Sequence, residues 1–147
     1  MTTSNQSGGQ TKFFSPSDLV PLAPTYSQIS MAPFTASSKL VCISGQPGIG
    51  ANTDMSSPPS FPEQVRAALA NVDKCLAAAG ASKQNIVRNT QYVVRHGAMS
   101  EEDKKARIDI YLEWLGGLPP SPETFVGVDS MAIPAILYEI EVMAVVN

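Results

Sequence analysis

Ser60-Phe61-Pro62-Glu63-Gln64-Val65 opens a stretch that runs to Ala79-Gly80 and carries the start, the buried face and the stop of one helix. Ser60 followed three residues later by Glu63 is a capping box, in which the serine oxygen accepts from a free backbone N–H while the carboxylate reaches back. Pro62 suits the first turn, where a missing donor costs nothing. Phe61, Val65, Leu69, Val72 and Leu76 recur at helical spacing and define one apolar face. Gly80 supplies the positive φ that ends the helix.

On either side of this helix the pattern turns to strands. Two are expected before it, near residues 27–31 and 39–45, and one after it, near 85–94. A second helix follows. Ser100 can cap it, Glu101, Glu102 and Asp103 favour the positive end of its dipole, and Gly116-Gly117 stops it. Ile108, Leu112 and Leu115 form its expected inner stripe, which Tyr111 and Trp114 can extend. Two strands close the chain, near 124–128 and 136–146. In the last, Glu139 and Glu141 share a parity and so point to one sheet face. One reading leaves that face in solvent; the other has one acid lining a pocket. The order β-β-α-β-α-β-β predicts an α+β domain, a mixed sheet covered on one face by two helices. The other face needs cover, and packing of subunits is the simplest way to supply it.

Composition narrows the function classes. The 147 residues fit one domain, read as 13–147, behind a Ser-, Thr-, Gln- and Gly-rich tail over 1–12 that has too little apolar surface to order itself. A net charge of −3 and ten scattered Lys and Arg weigh against a nucleic-acid partner, because phosphate binding needs clustered cations. No run approaches the roughly 20 apolar residues that span a bilayer. Cys42 and Cys75 form no CxxC pair and are expected to be reduced, packed as small hydrophobes. With one histidine and no ligand-spaced pair, no metal and no cofactor is expected. Gly45-Gln46-Pro47-Gly48-Ile49-Gly50 lacks the pattern of a phosphate loop. His96 has no sequence partner that would make Ser44 a nucleophile.

Four segments resemble one family. Ala23-Pro24-Thr25-Tyr26-Ser27-Gln28 is similar to the Pro-Tyr-Ser-Gln segment of Rid/YjgF proteins, the reactive-intermediate deaminases. Leu40-Val41-Cys42-Ile43-Ser44-Gly45-Gln46 resembles their strand ending in Ser-Gly-Gln. The stretch from Gln64 to Gly80 resembles their first helix, and Glu139-Ile140-Glu141-Val142-Met143-Ala144-Val145 their last strand. The likeness runs from about Pro21 to the end. It implies a chorismate-mutase-like fold, a cytoplasmic homotrimer with pockets at the subunit interfaces, and a small-molecule substrate. In active members an arginine after a Pro-small pair binds the substrate carboxylate, and a glutamate on the last strand positions water. Tyr26, Ser44, Gly45 and Glu141 match pocket positions, and Phe125 and Tyr111 are counted with the ligand-lining residues.

The arginine does not carry over. Ser121-Pro122-Glu123-Thr124-Phe125 places Glu123 where it belongs, and Phe125 where a cysteine is frequent. Arginine grips a carboxylate through two parallel charge-assisted bonds, whereas glutamate repels it. If Glu123 and Glu141 face one pocket, one pKa rises and the pair can hold a proton as acid beside base. If the connection turns Glu123 to solvent, one acid remains. Arg107 is the nearest arginine in sequence. Two functions stay open: an enzyme using carboxylate acid/base chemistry on an imine, enamine or related intermediate, and a non-catalytic metabolite-binding or regulatory trimer. Ribonuclease action, sometimes attached to the family, is disfavoured by the acidic charge.

Overall fold

Tyr138, Ile140, Val142 and Ala144 are each no more than 1% exposed, while Glu139, Glu141 and Met143 between them are not. This period-two burial marks a strand with one face on a core and one face open. In the computed structural model, which describes residues 10–19 and 23–147, the strand is β6, Tyr138–Val146. The other strands and α-helices are β1 (Lys12–Phe14), β2 (Ile29–Met31), β3 (Lys39–Pro47), α1 (Phe61–Ala78), β4 (Ile86–Val94), α2 (Glu101–Leu115) and β5 (Glu123–Val128), with short 3-10 turns at Lys83–Asn85 and His96–Ala98.

β6 lies inside a four-stranded sheet of order β3-β6-β4-β5, antiparallel to β3 and to β4, while β4 and β5 run parallel. The parallel pair requires a crossover, and α2 makes it. The expected α+β mixed sheet is therefore present. The first expected strand is corrected in its partner: β2 does not join the main sheet but pairs antiparallel with β1. The expected tail over 1–12 lies outside the described residues through residue 9, and Lys12 opens β1.

α1 is held at both ends by sequence-local chemistry. Glu63 accepts from the Ser60 amide at 2.8 Å and from its hydroxyl at 2.6 Å. Gly80, at φ +70°, reverses the chain so that Ala81 N–H reaches the Leu76 carbonyl at 2.8 Å. Val65, Ala68, Leu69, Val72 and Leu76 are each at most 1% exposed and pack on Ile43, Ile140 and Val142 of the sheet. Gln64, fully buried, donates to the Pro59 and Ala135 carbonyls and accepts from Leu137 N–H at 2.9 Å. That side chain ties the start of α1 to the run-in of β6.

The inner face of α2 departs from the expected stripe. Arg107, Ile110, Tyr111 and Leu115 are buried, whereas Leu112 is exposed and Ile108 half-buried. The helix is rotated because it buries a polar group, Arg107, that an apolar count leaves out. Ser100 accepts from Asp103 N–H, and Gly116 and Gly117 take positive φ, as expected. Cys42 is exposed, not packed; Cys75 is half-buried, and both are free thiols.

Candidate active site

β3 carries an irregularity where the register jumps between Ile43, opposite Val142, and Gln46, opposite Ile140. Ser44 and Gly45 together face the single residue Glu141, a bulge that bends the strand and re-aims its side chains. Ser44 is left exposed on the open face. Gly45 leaves room for a carboxylate: a Cβ there would sit 1.7 Å from Glu139 Oε1 and would displace that side chain. The Glu139 carboxylate lies directly on the glycine backbone.

The open face continues onto β4. Thr90 is opposite Glu141, Tyr92 opposite Glu139 and Arg88 opposite Met143. Tyr92 Oη donates to Glu141 Oε2 at 3.3 Å. Desolvation, then the charge of Glu141 and the bond to it, then Glu139, push the Tyr92 phenol above its ordinary range. It therefore remains a proton donor toward the acids at neutral pH. A hollow of about 590 Å³ is bounded by Cys42, Ser44, Arg88, Thr90, Glu141 and Met143.

Glu123 is elsewhere. It stands opposite Asn89, whose neighbour across the sheet is Val142, so it belongs to the helix side. Its side chain is 3% exposed, with Oε1 3.8 Å from Arg107 Nη1. Gln91 Nε2 donates to Glu123 Oε2 and Thr25 Oγ1 to its Oε1. Gln91 Oε1 accepts from Arg107 and from Tyr138 Oη at 2.8 Å, and Asn89 donates to Tyr111 Oη and Ser121 Oγ. Burial pushes the Glu123 carboxyl upward, against the pull of Arg107 and the two hydrogen bonds. Within one chain, Glu123 neither shares a face with Glu141 nor turns to solvent.

The other sequence candidates divide in the same way. Ser44, Gly45 and Glu141 come together on the open face. Tyr111, 1% exposed, and Phe125 are on the helix side, with the Arg107 guanidinium 4.5 Å above the Phe125 ring and His96 edge-on to it at 4.9 Å. Burial and the charges of Lys104 and Arg107 push the His96 imidazole down, against Glu101. Tyr26 is half-buried between Thr25 and Ser27; Thr25 bonds Glu123, and Ser27 N–H reaches the Pro120 carbonyl. Sequence reasoning passed over Arg88, Thr90 and the seating of Glu139. Strand parity was the available signal, since residues 88, 90 and 92 alternate with the buried 89, 91 and 93. Among the described residues no group of three or more His, Cys, Asp and Glu side chains is placed to hold a metal ion, and no helix is long and apolar enough to cross a membrane.

A mixed sheet with two helices on one face and a row of acids on the other, entered by a Ser-Gly-Gln bulge, defines a class of small α+β proteins. The sequence profile of the family described as Endoribonuclease L-PSP matches residues 20–146, and the chain belongs to this family, known also as Rid/YjgF. The Rid protein YyfB of Yersinia pestis, itself described as of unknown function, is 27% identical with a TM-score of 0.79, over 94% of this chain and 100% of that one. A putative endoribonuclease of Thermotoga maritima is 25% identical, TM-score 0.61, over 92% and 98%. E. coli TdcF, solved with bound serine, shares the fold at 22% identity and TM-score 0.61, over 82% and 93%. No protein of curated function matches the sequence.

Proposed function

We propose that the chain is a Rid-type enzyme that acts by carboxylate acid/base chemistry on an imine, enamine or related reactive intermediate. The observation that carries this reading is the pair of open-face acids beside the Ser44-Gly45 bulge, Glu141 on the hollow and Glu139 on the glycine backbone. In the hydrolytic form, water adds to the C=N carbon as a carboxylate takes its proton. The same carboxyl returns that proton to the nitrogen, giving a carbinolamine, and then relays the new hydroxyl's proton to the nitrogen, so that the C–N bond breaks, ammonia leaves and the carbonyl forms. Ser44 and Tyr92 are donors available to orient the ligand, and Glu141 is the assigned proton carrier. Glu123 has no part in this step, because it is held by Arg107 and Gln91 under the helices. The protein acts as a homotrimer in this reading, with subunits packing around the open-face hollow so that the pocket lies at their interface.

The test generates imino acids in situ with an amino-acid oxidase and follows the oxo-acid product. Wild type should accelerate hydrolysis, and Glu141→Gln should lower kcat by about 10²–10⁴-fold. Glu139→Gln measured alongside identifies which acid carries the proton. Full activity in both variants would sink the catalytic reading.

The absence of the family's arginine favours a second reading, a trimer that binds a metabolite without converting it. The position is taken by a glutamate already neutralised by Arg107. A wild type that binds ligand without turnover, with Glu141→Gln binding equally well, supports that alternative. An RNA substrate has little support, given the net charge of −3.

A further inference from the structure

Arg88 is the described cation that lines the open-face hollow, and its surroundings leave it available. The side chain is exposed, and its Nη2 donates at 3.0 Å to Thr124 Oγ1, a neutral acceptor on β5. Among the described residues no carboxylate pairs with it, although Arg66, Arg95 and Arg107 each have one. Thr124 stands opposite Thr90, so this bond holds the guanidinium over the open face of β4. A guanidinium presents five donors in a planar fork, and one bond to a hydroxyl leaves an edge free for a bidentate acceptor.

Glu141 stands opposite Thr90, and Arg88 opposite Met143. The acid and the base are therefore diagonal neighbours on adjacent strands, about 7–8 Å apart at Cα. They form no ion pair within the chain. A carboxylate gripped by Arg88 through bonds of about 2.8 Å would hold the adjoining carbon of a small ligand between Arg88 and Glu141. Ser44 borders the same hollow from β3.

We propose that Arg88 is the anion-binding residue of this site, gripping the carboxylate of a small ligand whose adjoining carbon lies toward Glu141. This rests on the open face being the ligand site and adds a guanidinium reached from β4 rather than β5. It restores a place for a carboxylate in a chain where Glu123 occupies the other position.

Binding of pyruvate and of its neutral analogue pyruvamide to the full chain, followed by ligand-observed NMR, tests it without requiring turnover. Wild type should bind pyruvate at least tenfold tighter than pyruvamide. Arg88→Gln should weaken pyruvate to the pyruvamide level and leave pyruvamide unchanged, and Arg88→Lys should fall between. Elution volume and far-UV dichroism of each variant must match wild type. Equal binding of the two ligands by wild type overturns the proposal, as does pyruvate binding unchanged in Arg88→Gln. A changed assembly state in Arg88→Gln also overturns it, assigning the guanidinium to a subunit contact. Arg88-dependent pyruvate binding without imine hydrolysis would remove the catalytic reading and leave this one standing. Hydrolysis of imino acids unaffected by Arg88→Gln would do the reverse.

Discussion

Glu123 shows how far a single side chain can depart from the place its neighbours in sequence suggest. Its carboxylate is 3% exposed and shares a buried network with Arg107, Gln91 and Thr25. Removing one partner of a buried ion pair strands the other, so Glu123→Ala should cost about 3 kcal/mol or more in urea unfolding. The pH dependence follows from the direction of its shift. Burial raises the folded pKa above the ordinary 4.5, so just above that value the native state holds a proton the unfolded state has released. Stability contributed by this group is present below the ordinary pKa and is lost as pH rises through the raised one. Lowering the pH from 7 to 5 should therefore improve wild type relative to Glu123→Gln, a comparison in which His96 cancels. An unchanged difference between the two proteins would place the Glu123 titration in the ordinary carboxylate range. The partner of Glu123 does not follow from sequence, because Arg107 comes from another element.

Two glycines decide how elements meet, and they predict opposite losses. A Cβ at Gly48 would lie 2.1 Å from the Gln64 carbonyl oxygen and 2.3 Å from its Cα, both backbone atoms of α1. Gly48→Ala should therefore push β3 off the helix and lower stability by about 1–3 kcal/mol, read as a lower Tm. At Gly45 the obstructing atoms belong to the Glu139 side chain, which can swing away. Gly45→Ala should keep most of its stability and lose activity, on the order of 10²-fold for a displacement of about 1 Å. A Gly45→Ala enzyme as active as wild type would show that the seating of Glu139 is irrelevant to chemistry. α1 was legible down to its caps because Ser60, Glu63 and Gly80 act within a turn of themselves. α2 was legible in extent but not in rotation, since Arg107 on its buried face reads as a surface residue.

For the whole molecule, the open sheet face sets the expectation. Leu40 is 53% exposed and Met143 37%, on the same face as Cys42 and Glu141, an apolar strip that an isolated chain leaves to water. Light scattering should give about 47 kDa, three times the 15.6 kDa chain, and Met143→Glu should reduce it toward the monomer. A wild-type monomer would remove the trimer from the proposal. By itself, the sequence determined the helices with their caps, the strand parity that sends Glu139 and Glu141 to one face, and the family, because all of these are written in local spacing. Tertiary structure alone decided that β2 pairs with β1, that Glu123 faces Arg107 and that a hollow opens between Arg88, Ser44 and Glu141. Those outcomes depend on strand register and on the rotation of α2, which arise from contacts between residues 15 to 98 positions apart.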